Sequence, residues 1–211
     1  MGTRNMSGVF IDGTWKVAKY SQWDGYPSGV GTDILEVFSN VNLVTLKEKI
    51  KNNAKFANDE FVKEAYTNLG IELNEGWINM DDSNRFKNRY PLLDRDTTLK
   101  DVAMAHLSNS NDNPIFTKND VDFAKDSLFC EYAYVVDFDK NTFEVYRGFN
   151  SEQLDESERF FGTDSLEEHP NGNTYYPVRF WHSWTLDALP TKEEFIKTLS
   201  ENDEDEDEEV A

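Results

Sequence analysis

The dipeptide Asp12-Gly13 constrains the fold of this chain more than any other feature, because it specifies a hairpin close to the N-terminus. It separates two strand-like segments, and it favours the positive backbone angles that a two-residue hairpin turn needs. In the register set by this turn, Phe10 faces Trp15, which gives an aromatic cross-strand pair. We therefore predict antiparallel strands at residues 9–11 and 14–20.

A second hairpin is predicted in the C-terminal half. Residues 131–138 alternate in the manner of a strand, and a turn at residues 139–141 leads into residues 143–149. In this interpretation Asp137 and Asp139 are ordinary turn residues. A further aromatic strand is predicted at residues 176–184.

Helical patterns fill the middle of the chain. Asn42 is predicted to cap one helix, and the capping-box spacing of Thr191 and Glu194 starts a last one. Strands towards both ends with helices grouped between them indicate an α+β fold with a largely antiparallel sheet. The segments with apolar residues at three- and four-residue spacing are residues 32–38, 43–50, 59–69 and 99–107.

The chain is strongly acidic, with 41 acidic and 21 basic residues and a net charge of −20. Eight of the acids lie in residues 201–209, and such a run repels itself. We predict a single domain at residues 1–200 and a disordered acidic tail at residues 201–211. The charge keeps the protein soluble, or it lets tail and body mimic a nucleic-acid backbone in a partner's basic groove. Direct nucleic-acid binding is not expected, since phosphates would be repelled.

Cysteine and histidine usage argues against redox and metal chemistry. The single Cys130 excludes an internal disulfide and is expected to be a small core residue. His106, His169 and His182 lack metal-ligand spacing, so each is expected to be a surface or satisfied core residue, and no metal or cofactor is predicted. No apolar run approaches the roughly 20 residues that cross a bilayer, and no secretory signal is evident, so a cytoplasmic protein is expected.

The segment at residues 22–31, which we call the aromatic turn, is the leading candidate site. It combines Trp23, Asp24 and Tyr26 with three glycines. One interpretation is an aromatic plug at the end of the sheet, with Asp24 bonding to backbone amides. The other is a recognition loop, in which the two rings stack on a planar ligand while Asp24 and Ser28 fix its polar edge.

Arg95 and Asp96 complete the predicted ligand-binding set. The alternative for this segment is structural: Asp96 or Thr97 caps the following helix, and Arg95 pairs with a surface acid.

Several sequence blocks stand out together. They are MGTR at residues 1–4, QWDGYPSGVG at residues 22–31, YP followed by RDT at residues 90–97, and YVVD with EVYRGF at residues 134–149. In these blocks, and over most of its length before the acidic tail, the chain resembles an uncharacterised family of bacteriophage and bacterial proteins. The resemblance implies a phage origin and favours a host-directed accessory role.

The chain carries no evident nucleophile or phosphate motif, and we therefore expect a non-catalytic binding protein. Its partner would be a host protein, such as a defence protein that it inhibits through its acidic surface, or a small nucleotide-like ligand at the aromatic turn. The alternative is an N-terminal-nucleophile or other hydrolase acting on an amide or a nucleotide. That mechanism would require removal of Met1 and Gly2 to expose Thr3.

Overall fold

The computed structural model describes residues 2–72, 77–162 and 174–209, with side chains as far as Glu201. One sheet has five strands in the order β2-β1-β5-β6-β7, and β3 pairs with β4 in a second, two-stranded sheet. The strands are β1 (Asn5–Ile11), β2 (Thr14–Ser21), β3 (Ala54–Phe56), β4 (Ile115–Thr117), β5 (Tyr132–Asp137), β6 (Thr142–Arg147) and β7 (Arg179–Thr185).

The predicted helices are present, and α4 is a further helix that the sequence analysis does not predict. Asn42 caps α2 by accepting the N–H of Thr45 at 2.9 Å, and Thr191 and Glu194 form the predicted box before α6. The tail that is predicted to be disordered begins at residue 201, within the range of α6, and its side chains after Glu201 lie outside the described residues. The helices are α1 (Thr32–Asn40), α2 (Leu43–Asn53), α3 (Asp59–Asn68), α4 (Met80–Arg89), α5 (Leu99–Ser108) and α6 (Lys192–Glu209).

The predicted N-terminal hairpin is confirmed. Asp12 and Gly13 have φ values of 53° and 70°, and the rings of Phe10 and Trp15 meet with their centroids 5.4 Å apart. The carboxylate of Asp139 accepts the N–H groups of Asp12 and Gly13 at 2.9 and 2.8 Å. These bonds lower the pKa of Asp139, which therefore ties the two hairpins together instead of serving only its own turn.

A parallel pairing of β1 with β5 joins the two hairpins into one sheet, from Asn5 opposite Tyr132 to Phe10 opposite Asp137. All other pairs in this sheet are antiparallel, which confirms the α+β class with a largely antiparallel sheet. A parallel pair cannot be closed by a tight turn and needs a long crossover. Helices α1 to α5 lie within that crossover.

The two faces of the sheet have separate cores. One is covered by α1, α2, α5 and α6, and its buried members include Val9, Ile11, Ile34, Phe38, Leu46, Leu99, Tyr134 and Phe195. The other packs against residues 121–125 and parts of the chain after β6, and includes Met6, Val135, Leu154, Phe160 and Val178. Cys130 belongs to the second core, as a fully buried residue whose thiol pKa is raised by burial.

A buried ionic cluster lies on this second face. Arg159 Nε donates to Glu144 Oε2 at 2.8 Å, and its Nη2 pairs with Asp137. The Tyr146 hydroxyl donates to the same Glu144 oxygen at 2.6 Å, and the guanidinium lies 4.9 Å from the centroid of the Phe10 ring. Asp137 has the predicted turn role, because its Oδ1 accepts the N–H groups of Asp139 and Lys140 at 2.8 and 2.9 Å. Its other carboxylate oxygen additionally holds the segment that carries Arg159 against the sheet.

We expect Arg159→Met to destabilise the protein by about 3–5 kcal/mol, because it leaves the buried carboxylate of Asp137 without its cation and Glu144 with only the more distant Lys140, at 3.8 Å. The matched control is Arg179→Met, which removes an arginine paired with Glu152 while both side chains are about half exposed. Its expected cost is about 1 kcal/mol or less. Urea unfolding measures both values, and equal costs would contradict the structural role of Arg159.

His106 is buried in the helix-facing core, and neither ring nitrogen has a hydrogen-bond partner. The prediction of a surface or satisfied core histidine is therefore wrong for this residue. Burial lowers the pKa of His106 to about 4, because the charged imidazole would lose its hydration, and the nearby charge of Lys49 disfavours protonation further.

This pKa predicts a pH-dependent loss of stability. Between about pH 6.5 and pH 4 the unfolded chain protonates His106 and the folded chain does not, so stability falls as the pH drops through this window. The expected contribution is about 2 kcal/mol at pH 5 relative to pH 8. Urea unfolding of wild type and His106→Leu at both pH values tests it. The variant should lose less stability on acidification, and identical pH dependences would refute this assignment.

Candidate functional site

The backbone of the aromatic turn is fixed by the N-terminal segment and by the sheet. Gly25 N–H donates to the carbonyl of Thr3 at 2.9 Å, and Val30 N–H donates to that of Asp24 at 2.8 Å. From below, the buried Tyr134 hydroxyl donates to the carbonyl of Gly25 at 2.8 Å. The backbone of the turn is therefore hydrogen-bonded to the N-terminal segment and to β5, and it is closed on itself between Asp24 and Val30.

The close approach of these backbones explains the glycines. A Cβ atom at Gly29 would lie 2.2 Å from the carbonyl oxygen of Asp24, and one at Gly25 would lie 2.8 Å from that of Thr3. Both distances are shorter than any side chain tolerates, so the turn needs glycine at these positions.

A cleft of about 300 Å³ opens over the turn, and the structure brings five of the six predicted ligand-binding residues to it. Four come from the turn and one from the segment before α5. They are Trp23, Asp24, Tyr26, Ser28 and Asp96.

Each aromatic ring in the cleft is held by a carboxylate. The indole Nε1 of Trp23 donates to Asp96 Oδ1 at 3.1 Å, and the hydroxyl of Tyr26 donates to Asp24 Oδ1 at 3.1 Å. The rings remain 51% and 40% exposed. Their orientations are thus restrained while much of their surface stays open, which suits stacking on a ligand. In the plug interpretation, the Asp24 side chain would bond to backbone amides. In the structure that side chain accepts the hydroxyl of Tyr26, and it is the backbone carbonyl of Asp24 that accepts the N–H of Val30.

The charged groups that line this cleft are carboxylates. Asp24, Asp33 and Asp96 contribute to its wall, and no lysine or arginine does so among the described residues. Lys100 pairs with Asp33 at 3.1 Å without lining the cleft. Such a site repels a phosphate and favours cations or hydrogen-bond donors.

Arg95 departs from the predicted set. It lines a different depression, of about 340 Å³, while its neighbour Asp96 lines the aromatic cleft.

The structural alternative, a helix cap at Asp96 or Thr97 and an ion pair at Arg95, is also wrong. Thr98 caps α5, and its backbone N–H donates to the carboxylate of Asp101 at 2.7 Å, so neither Asp96 nor Thr97 is the cap. Arg95 makes no ion pair with any carboxylate in the part of the chain that the structure describes.

Sequence analysis missed a buried polar group beneath the turn. Asn5 and Ser7 of β1 are fully buried on the helix-facing side, and their side chains have no hydrogen-bond partner. A Cβ at Gly25 would lie 2.9 Å from the amide nitrogen of Asn5, which places Asn5 directly under the turn. The sequence feature that could have revealed this group is the pattern of β1, in which the helix-facing residues change from the apolar Val9 to the polar Ser7 and Asn5.

Lys19 lies on β2 opposite Ser7 and is also buried. Its ammonium donates to the carbonyl of Asp94 at 2.5 Å and to that of Tyr20 at 3.3 Å. Burial lowers the pKa of Lys19 to about 8. This lysine therefore anchors the segment that carries Arg95 and Asp96 to the sheet.

In the described ranges, no group of three or more His, Cys, Asp and Glu side chains is arranged to hold a metal ion. No described helix is both long and apolar enough to cross a bilayer. His169 lies outside the described residues. Comparisons with protein-family models, with curated proteins and with solved structures found no match for this chain.

The contact between Tyr26 and Asp24 predicts a measurable titration. The hydrogen bond from the Tyr26 hydroxyl to the Asp24 carboxylate raises the pKa of Tyr26, because ionisation would break the bond and place two negative charges together. We expect Asp24→Asn to lower this pKa. Ultraviolet titration of wild type, Asp24→Asn and Tyr26→Phe isolates this phenol from the others by difference. An unchanged tyrosine titration in Asp24→Asn would show that the contact is absent in solution.

Proposed function

We propose that the protein is a non-catalytic binding protein whose aromatic cleft takes the planar, nucleobase-like part of a small ligand. The observation that carries this proposal is the pairing of two half-exposed rings with two carboxylates in one cleft. Trp23 and Tyr26 offer ring faces for stacking, which suits any nucleobase. Asp24 and Asp96 offer acceptor oxygens for amino and ring N–H groups.

The charge of the cleft refines the ligand class. Because its charged lining groups are carboxylates, a base or nucleoside fits this cleft better than the phosphates of a nucleotide. The base-binding end of a nucleotide-like ligand is therefore assigned to the aromatic cleft, and its phosphates must lie elsewhere.

The wider role in our proposal is that of a phage-encoded accessory protein in the host cytoplasm. There it would inhibit a host defence protein, either by sequestering a nucleotide-like ligand or by docking its acidic surface on a basic groove. The family resemblance supports the phage origin and the accessory role. The net charge of −20 supports the acidic-surface version, because such a charge accelerates association with a basic partner.

A hydrolase remains the competing proposal, and one observation favours it. Thr3 lies at the aromatic turn, where its carbonyl accepts the N–H of Gly25. A nucleophile exposed at this residue would therefore be next to the turn. Cys130 does not offer an alternative nucleophile, because the thiol is fully buried with a raised pKa.

Calorimetric titration with adenosine, guanosine and cytidine tests the binding proposal. We expect at least one nucleoside to bind wild type, and Trp23→Ala to weaken it about tenfold or more, since base stacking contributes on the order of 1–3 kcal/mol. Trp77→Ala is the matched control, because Trp77 is 81% exposed and does not line the cleft. This control should bind as wild type does.

Two further readouts separate the competing classes. Mass spectrometry of the titrated nucleosides detects turnover, and turnover lost in Thr3→Ala would replace the binding proposal with the hydrolase. Absence of nucleoside binding, together with capture of a host protein that weakens steeply with salt, would favour the acidic-surface inhibitor. Equal binding by Trp23→Ala and wild type would rule out the aromatic cleft as the site.

A further inference from the structure

A second depression lies across residues 94–96 from the aromatic cleft, and we call it the basic depression. It has a volume of about 340 Å³ and is formed by α3, α4, the segment before α5 and the residue after β4. The residues that matter for its chemistry are Tyr66, Phe86, Lys87, Asp94, Arg95 and Lys118.

The charge of this depression is opposite to that of the protein. Three cations and one carboxylate line it, in a chain with 41 acidic and 21 basic residues. The carboxylate is already satisfied, since Asp94 pairs with Lys87 at 2.8 Å. Arg95 and Lys118 are exposed, and neither pairs with a carboxylate in the described ranges. Two cations are thus available to a ligand.

Buried Lys19 adds to the positive charge behind this depression. Its ammonium donates to the carbonyl of Asp94 at 2.5 Å, so a fourth cation lies directly behind the depression wall. Burial is the main cause of the lowered pKa of Lys19, Asp120 opposes it, and the charge of Lys118 is near enough to add to the lowering.

An aromatic wall accompanies these cations. The rings of Tyr66 and Phe86 stack with their centroids 4.3 Å apart, and Phe86 also contacts Tyr90 at 5.3 Å. Tyr66 and Phe86 are half-buried and line the depression. Aromatic walls with a few charged groups are the usual composition of small-ligand sites.

We propose that the basic depression binds the phosphate group of a ligand that also carries a planar ring. Arg95 supplies a planar fork of donors that matches phosphate oxygens, and Lys118 supplies a second, point-like positive charge. The apolar wall of Tyr66 and Phe86 covers the attached ring. This site is separate from the aromatic cleft, and it does not depend on the nucleoside proposal.

Phenyl phosphate is a suitable probe, because it combines the two recognised groups, and phenol is its neutral counterpart. Binding is measured by calorimetry at constant ionic strength, after circular dichroism has shown each variant to be folded. We expect phenyl phosphate to bind wild type and phenol to bind at least about tenfold more weakly, since charge-assisted hydrogen bonds to the phosphate are lost. Arg95→Gln/Lys118→Gln should weaken phenyl phosphate binding about tenfold or more for the same reason.

The matched control is Lys192→Gln/Lys197→Gln, which removes the same charge from α6, an element that contributes no residue to the depression. It should leave the affinity within about twofold of wild type, because salt screens charges outside the site. No binding of phenyl phosphate to wild type, or equal losses in the two double variants, would overturn the proposal. Trp23→Ala should bind phenyl phosphate normally. Failure of the nucleoside proposal would instead appear as nucleoside binding that does not depend on Trp23.

Discussion

The parallel pairing of β1 with β5 is the constraint on which the rest of the structure depends. It places β1 inside the sheet, between β2 and β5, and so buries the polar side chains of Asn5 and Ser7. It also forces the chain through a long crossover before it returns to the sheet. This connection enters the aromatic turn directly after β2. Asp96, which precedes α5 in the same connection, accepts a hydrogen bond from Trp23 of the turn. The aromatic cleft thus forms where two separate parts of one connection meet.

Local signals were read from the sequence with good accuracy. Asp12-Gly13, the Asn42 cap and the box at Thr191 each act within a few residues, and each occurs as predicted. The pairing of β1 with β5 was not foreseen, and neither was the short parallel pair of β3 and β4, because partners distant in sequence leave no local pattern. The Arg159 cluster was missed for the same reason: its carboxylates come from β5 and β6, while the arginine lies in a polar segment that reads as loop.

The candidate site also combines local features with contacts between distant residues. The composition of one turn predicts Trp23, Asp24, Tyr26 and Ser28 as site residues, and Asp96 joins them through its hydrogen bond with the indole of Trp23. Arg95 and Asp96 both belong to the predicted ligand-binding set, and they are adjacent in sequence. They lie in a turn in which the N–H of Thr97 donates to the carbonyl of Asp94 at 3.3 Å. The sequence does not specify the direction of each side chain in such a turn, and in the structure the two residues line different depressions.

The two depressions have linings of opposite charge, and Lys87 lies between them, 2.8 Å from Asp94 and 3.9 Å from Asp96. A net charge of −20 would seem to forbid an anion site on this protein. At physiological salt, however, charges are screened over about 8 Å, so a ligand in the basic depression would sense mainly its lining groups, Lys87, Arg95, Lys118 and the single carboxylate of Asp94. Distant acids would slow the approach of an anion more than they would weaken its binding. Local arrangement and total charge therefore govern different steps, and the phosphate site that we propose is compatible with an acidic protein and with a neighbouring cleft lined by carboxylates.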